Sequence, residues 1–329
     1  MVPRASSDRE GSGCEDPRRE DPSEREDWGS SLDLRRIPLP TISPRGSQPA
    51  LRALGEAHDD RDCALSEGPD LDRLDQGIEI WRLDCRPFER ADLSPPVYLS
   101  ALERRRFAAM RHPTSRAHFA GGRWLVREIL SGYTGKPPHS IDIGVDARGR
   151  PFAGLASKPW GSVDSKASPL AQKIDFNLSH SGGDIVLALA IAPKSRRGRF
   201  AAPTVGIDIE RVDPHRNWQA IAERRFSLAE RRGLRLHGDE QARCLAFFRT
   251  WVRKEAFVKA LGSGISTNFQ RFDVTTGAVA GLEGLRIEGE ECERWTIRDL
   301  QLSEPSFDEG GFDPGIVGAI AWRSLPSSR

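Results

Sequence analysis

Trp251-Val252-Arg253-Lys254-Glu255-Ala256-Phe257-Val258-Lys259 is the stretch on which the reading of this chain turns. Strong helix formers fill it, and neither Gly nor Pro interrupts it. Apolar side chains at Leu245, Phe248, Val252 and Ala256, with Trp251 and Val258 beside them, recur at helical spacing, which predicts a buried helix. Glu255 and Lys259 stand four apart and share one face of it. Taken alone, that pair reads as a surface ion pair. Lysine usage argues for more. The chain has 7 Lys against 42 Arg, and two of the 7 fall in this window. Where Arg is the default cation, Lys marks a place that needs a compact ammonium and not a planar fork.

Upstream stands Gly206-Ile207-Asp208-Ile209-Glu210. Its alternation predicts a strand with Val205, Ile207 and Ile209 on one face and Gly206, Asp208 and Glu210 on the other. Two carboxylates two residues apart on a buried strand raise each other's pKa unless a cation intervenes. A bound Mg2+ answers that, because it favours hard oxygen ligands. Glu255 from the helix could complete the set of Asp208, Glu210 and Glu255. The plainer alternative is that the two strand acids pair with two of the many Arg.

His180 lies in Asn177-Leu178-Ser179-His180-Ser181-Gly182, just ahead of the apolar run Ile185–Ile191. A lone His is usually structural. Hydroxyls, glycines and backbone N–H groups around this one suit an anion. Gly149-Arg150-Pro151 is a turn whose Arg can grip a phosphate bidentately. Glu230, in Phe226-Ser227-Leu228-Ala229-Glu230, reads first as the second half of a capping box with Ser227.

In combination and in order, these motifs resemble those of the 4′-phosphopantetheinyl transferase superfamily, Sfp-type. The shared parts are Gly-Arg-Pro (the family has Lys at Arg150), Asn-Leu-Ser-His-Ser, Gly-Ile-Asp-Ile-Glu and Trp-x-x-Lys-Glu-x-x-x-Lys. They cover roughly residues 78–325. The resemblance implies an α+β fold: a pseudo-dimer of two similar halves, each with antiparallel strands packed on a long helix, and the active site between them. It implies transfer of the phosphopantetheine arm of coenzyme A to a serine of an apo acyl or peptidyl carrier protein, with release of adenosine 3′,5′-bisphosphate. Mg2+ would be held by Asp208, Glu210 and Glu255. Coenzyme A would be bound by Arg116, Arg150, Ser179, His180 and Lys259, where Arg116 occupies the Arg of an Arg-x-x-Phe helix. Asp208, Glu255 and Lys259 form the catalytic set, with Glu255 as base directly or through a metal-bound water. Two other readings use the same residues. One is an Mg2+-dependent hydrolase of a nucleotide pyrophosphate, and the other is a module that binds coenzyme A or a carrier without chemistry.

Composition bounds the rest. The chain has 329 residues, 29% charged and 37% hydrophobic, with net charge +1. Residues 1–77 carry 11 Arg and 18 acids, so an acidic leader is followed by a basic body. A basic body suits a polyphosphate or an acidic partner. No nucleic-acid motif appears, and no apolar run approaches the ~18 residues of a membrane span. The first residues lack the apolar core of a secretory signal. Cys14, Cys63, Cys85, Cys244 and Cys292 are scattered and odd in number, as in a reducing cytosol. The expectation is a cytoplasmic monomer.

Residues 1–76, rich in Ser, Pro, Gly and charge, are expected to be disordered and dispensable, with a short helix around 50–57 at most. An N-terminal half for coenzyme A is expected over 77–203 and a half with the acid motifs over 204–329. Expected helices are Leu99–Phe107, Arg116–Leu130, Trp218–Arg225, Leu228–Leu236 and Glu240–Leu261. Of these, Arg116–Leu130 is expected to turn Phe119, Trp124, Leu125, Ile129 and Leu130 inward. Expected strands are 78–83, 141–145, 185–191, 205–210 and several in the tail.

Overall fold

The computed structural model describes residues 34–37, 77–89, 94–146, 149–155, 174–191, 204–262, 267–274, 276, 286–287, 290–291, 295–303, 306–308, 311–313 and 315–323. Four strands and two helices come first: β1 (Leu34–Ile37), β2 (Ile78–Asp84), α1 (Ala101–Ala109), α2 (Pro113–Thr134), β3 (Ile141–Val145) and β4 (Pro151–Leu155). Then come β5 (Ile174–Ser181), β6 (Asp184–Ile191), β7 (Val205–Arg211), α3 (Trp218–Arg225), α4 (Leu228–Arg235) and α5 (Glu240–Leu261). The tail holds β8 (Phe272–Asp273), β9 (Arg286–Ile287), β10 (Glu290–Glu291), β11 (Trp295–Ser303), β12 (Ser306–Asp308), β13 (Gly311–Asp313) and β14 (Ile316–Arg323). All strand pairs are antiparallel, as an α+β chain requires.

The 22 residues of α5 match the expected helix at both ends. Asp239 caps its start by accepting a hydrogen bond from the Ala242 N–H at 2.7 Å. Phe247, Phe248, Val252, Ala256 and Phe257 are buried in an aromatic core with Trp218, Phe226, Phe269 and Phe272. In the second half of the helix, Trp251, Glu255 and Lys259 are only partly covered and follow one another at a spacing of four. The open stripe therefore carries the two charged residues singled out from sequence. Gly206 lets α5 lie directly on β7: a Cβ there would come within 2.1 Å of the Ala256 carbonyl oxygen.

Two main sheets carry the architecture, in the orders β1-β2-β6-β5 and β11-β14-β7. The helix α2 packs on the first through β6, and α5 packs on the second through β7 and β14. Between the sheets lies one apolar layer that joins Ile78, Ile80, Val186 and Ala188 to Val205, Ile207, Ile209 and Ile320. Thus the isoleucine face of β7 turns inward, as its alternation predicts.

The edge strands β5 and β7 are stitched together without a backbone ladder. Alternate side chains of β5 accept the free N–H groups of β7. Asp175 takes Val205 at 2.8 Å, Asn177 takes Ile207 at 3.0 Å, Ser179 takes Ile209 at 3.2 Å and Ser181 takes Arg211 at 2.8 Å. The constant offset of thirty residues means that the two strands run parallel. Unpaired edge N–H groups are thereby satisfied, and neither sheet is left with an open edge at this junction.

Several expectations shift. The helix expected over Arg116–Leu130 begins at Pro113, a favoured first position, and runs to Thr134, where Gly135 (φ 62°) ends it. Ser131-Gly132-Tyr133 is therefore helical. Phe119 and Trp124 are half-covered and not core, and Arg106 and Arg123 lie over the Phe119 ring. Ser100 caps α1 in a complete capping box with Glu103. The motif at 176–181, expected ahead of a strand, is itself strand. Within the leader expected to lack structure, Leu34–Ile37 forms edge strand β1 on β2. The rest of the leader, including 50–57, lies outside the described residues, as do 156–173 and 192–203.

Candidate active site

The site forms where β5, β7 and α5 meet. Asp208 points from β7 toward α5 and is 6% exposed. Its Oδ1 accepts from Lys259 Nζ at 2.7 Å and from the Ser179 hydroxyl at 2.8 Å. The same ammonium donates to Ser179 Oγ at 3.1 Å and to the Ile207 carbonyl at 3.2 Å. Lys259 therefore reaches across to β7 instead of pairing along its own helix with Glu255. Two residues on two elements, Lys259 of α5 and Ser179 of β5, converge on one carboxylate oxygen of β7.

Every hydrogen bond to Asp208 falls on Oδ1, which leaves Oδ2 without a partner among the described residues. Glu255 is half-buried and accepts no hydrogen bond from any described residue. Burial, then the Asp208 charge, lift its pKa above the ordinary value of 4.5; Glu210 adds to the lift, and Lys259 and Arg225 oppose it. Burial and Asp208 lift Glu210 likewise, against Arg216, whose Nη1 stands 3.5 Å from Glu210 Oε1. Ser181 Oγ also donates to Glu210, at 3.3 Å. Three carboxylates are thus within electrostatic reach, with Lys259 acting on Asp208 and Glu255 and Arg216 on Glu210.

The donor set fits a hard divalent cation: carboxylate oxygens, three of them (Asp208 Oδ2 and both of Glu255) without a hydrogen bond from any described residue, whose charges disfavour one another. As they stand, no three His, Cys, Asp or Glu side chains among the described residues are gathered closely enough to hold an ion. Lys259 supplies the positive charge on Asp208 in this arrangement.

His180 stacks on His118 from α2, with ring centroids 4.1 Å apart at 18°. His118 Nε2 lies 2.9 Å from the Gly182 carbonyl, which only accepts, so that nitrogen carries the proton. Part of His180 stays open to solvent, yet cover of its ring, then His118 and Lys259, pull its pKa down to about 4. It is neutral at pH 7. His118 was not singled out from sequence, although it stands inside the Arg-x-x-Phe segment that begins at Arg116. Nor were Asp175, Asn177 and Ser181. Their signal is the polar alternation of residues 175–181 beside an apolar strand.

The remaining two expected residues are held elsewhere. Arg116 Nε donates to the Met110 carbonyl at 2.8 Å, and its guanidinium lies over Phe107, tying α2 to the end of α1. Arg150 donates to the carbonyls of Lys259 and Ala260 at the end of α5, to Asp175 and to the Val205 carbonyl. Lys254, the motif residue just before Glu255, is fully buried. Its Nζ donates to both Glu230 oxygens at 2.7 and 2.8 Å and to the Phe272 carbonyl at 2.7 Å. Glu230 also completes the capping box of α4 with Ser227, as its spacing predicts.

The sequence similarities agree with this geometry. The family model described as the 4′-phosphopantetheinyl transferase superfamily matches residues 204–310, which include β7 and α5. The 4′-phosphopantetheinyl transferase HetI of a Nostoc species is 33% identical over 204 residues, 61% of this chain and 76% of the relative. The chain belongs to the 4′-phosphopantetheinyl transferase superfamily. Other members are similar over shorter shares. The human L-aminoadipate-semialdehyde dehydrogenase-phosphopantetheinyl transferase is 29% identical over 199 residues, 56% of this chain and 58% of its own. The 4′-phosphopantetheinyl transferase AcpT of Escherichia coli O157:H7 is 36% identical over 141 residues, 43% of this chain and 57% of its own. As in any superfamily, membership assigns the chemistry more firmly than the acceptor. No helix among the described residues is long and apolar enough to cross a membrane.

Proposed function

We propose that this member moves the 4′-phosphopantetheine arm of coenzyme A onto a serine hydroxyl of an apo acyl or peptidyl carrier protein. The observation that carries the reading is the Lys259 ammonium, held against Asp208 and Ser179 beside a partly covered Glu255 that accepts no hydrogen bond from any described residue. Transfer forms a bond from the serine oxygen to the β-phosphorus of coenzyme A. It breaks the bond from that phosphorus to the bridging oxygen, and adenosine 3′,5′-bisphosphate leaves. The serine proton needs a base, and Glu255, directly or through a metal-bound water, is read as that base; its pKa, lifted above an ordinary carboxylate, supports the reading. Lys259 would neutralise charge that builds on the phosphates. Ser179 and His180 are assigned to the nucleotide end of coenzyme A; Arg116, tied to the end of α1, is read as a coenzyme A residue from its place in the motif alone.

Asp208, Glu210 and Glu255 would hold Mg2+, and the metal would supply positive charge across the pyrophosphate. The positive charge of the ion would offset the mutual repulsion of Asp208, Glu210 and Glu255. The two halves, 77–203 and 204–329, are read as a pseudo-dimer with the acids in the second. Each main sheet carrying its own 22-residue helix supports that division. A monomer in the cytoplasm and an acidic, helical carrier as acceptor complete the reading.

The deciding experiment is intact-mass spectrometry of an apo carrier after incubation with the protein and coenzyme A. It is run with Mg2+ and again with chelator. A gain of one phosphopantetheine arm, abolished by chelator, is expected. No gain across several unrelated carriers, with the protein folded, would overturn the transferase reading. Breakdown of coenzyme A without a carrier in the same tubes would replace it with hydrolysis.

A further inference from the structure

Arg150 was expected to grip a phosphate, and the structure spends its donors on the protein itself. A guanidinium has five N–H donors. Nη1 donates to the carbonyls of Lys259 and Ala260, the second at 3.3 Å. Nη2 donates to Asp175 Oδ2 at 2.5 Å and to the Val205 carbonyl at 2.6 Å. Only Nε has no partner among the described residues. The backbone beneath is fixed as well. Arg150 N–H donates to Asp146 Oδ1 at 2.9 Å, and its carbonyl accepts from Asp146 N–H at 2.9 Å. The side chain leaves a closed turn at the mouth of β4 and spans three other elements: β5, β7 and the last turn of α5.

That last turn is where Lys259 sits. Helix ends leave carbonyls unsatisfied, and a cation there is favoured by the helix dipole. The Gly262 N–H meets one of these carbonyls, that of Lys259, at 3.1 Å. Arg150 meets the same carbonyl and the next. From the side, the missing Cβ of Gly206 brings the turn against β7. The Lys259 backbone is therefore pinned from two directions, and its Nζ lands within 3.2 Å of Asp208, Ser179 and the Ile207 carbonyl.

We infer that Arg150 is a positioning residue: it clamps the carbonyl end of α5 to β5 and β7 and so sets where the Lys259 ammonium stands. As a statement about catalysis this rests on the transferase reading; as a statement about Lys259 it does not. A lysine at 150 would keep the charge. Its single ammonium cannot span four acceptors on three elements.

The test uses Arg150→Gln and Arg150→Lys in the full chain and reads two quantities. The first is the acetylation rate of individual lysines by an amine-reactive ester, with chelator present, resolved by peptide mass spectrometry. Lys259 should react several-fold faster in both variants, while fully buried Lys254 stays silent and exposed Lys136 is unchanged. An unchanged Lys259 rate overturns the inference. So does a rise at Lys254 as large as that at Lys259, which would report general loosening of the core.

The second quantity is steady-state transfer from coenzyme A and from 3′-dephospho-coenzyme A. Misplacing a charged group by about 1 Å costs up to roughly a hundredfold. The expectation is a ten- to hundredfold fall in kcat (roughly) on both donors, with KM for coenzyme A changed less than about twofold. A KM increase with coenzyme A that disappears with the dephospho donor would make Arg150 a phosphate ligand and overturn the inference. If the wild-type protein transfers no arm to any carrier, the transferase reading fails, and the labelling still decides where Lys259 is held.

Discussion

Glu255 is a half-covered carboxylate that accepts no hydrogen bond from any described residue, and it feels two more carboxylates nearby. Charge on Glu255 and Glu210 is therefore a cost to the metal-free fold. Each pKa is raised, so each group favours folding below the ordinary carboxylate value of 4.5. That contribution is lost as pH rises through the raised pKa. Glu255→Gln should accordingly raise the melting temperature of the metal-free protein at pH 7, by about 2–4 °C per kcal/mol of repulsion relieved. The gain should shrink toward pH 4.5. Added Mg2+ should stabilise the wild type more at pH 7 than at pH 5 and have much less effect on the variant. Melting curves across that pH range check all three. A lower melting temperature for Glu255→Gln at pH 7 would mean that the carboxylate has a stabilising partner, and the proposed ion site would lose its driving force.

The helix α5 shows how one element serves both fold and site. Its face toward the core ends in the Lys254–Glu230 pair, which ties α5 to α4 and, through the Phe272 and Val274 backbones, to the strand that follows. Burial pushes the Glu230 carboxyl up and the Lys254 ammonium down, and their contact opposes both shifts. Removing one partner strands the other charge in the core. Lys254→Met should therefore cost roughly 3–5 kcal/mol, whereas Ser227→Ala, which deletes only a cap, should cost about 1 kcal/mol. Urea midpoints with unchanged slopes measure the difference. Equal small losses would show that the pair is not closed to water. The helix α5 was legible from sequence because propensity and periodicity agreed and neither Gly nor Pro interrupts the stretch. The strand β7 was legible because its alternation is clean. The strand β5 was not. Its Asp, Asn and Ser residues look like an anion loop, and their partners, the N–H groups of β7, carry no side-chain signature. The pairing of Lys254 with Glu230, and the reach of Arg150 to the end of α5, were hidden for the same reason. Both depend on contacts between elements far apart in the chain.

At the scale of the molecule, the β5–β7 junction links stability to the site. The stitching side chains and the site residues alternate along the same strands. Ser179 belongs to both sets: it accepts from Ile209 N–H, donates to Asp208 and accepts from Lys259. The sheets cannot separate without breaking the contacts of Ser179 to Asp208 and Lys259 and of Ser181 to Glu210, and the apolar layer between them is shared. They should therefore unfold together, in one transition seen equally by probes on either sheet. Asn177→Leu tests the junction away from the acids. It leaves the buried Ile207 N–H without its acceptor, which stood at 3.0 Å, at a cost of about 1–3 kcal/mol. Hydrogen exchange should then speed up at Ile207, and also at protected amides of β6 and β14 by the same factor, because the opening that exposes one exposes all. Faster exchange confined to the β11-β14-β7 sheet, with β6 unchanged, would mean that the two sheets open independently. A shared opening would also explain why Asp208 and Glu210 on β7 and Ser179 and His180 on β5 can sit on different sheets and still hold one geometry.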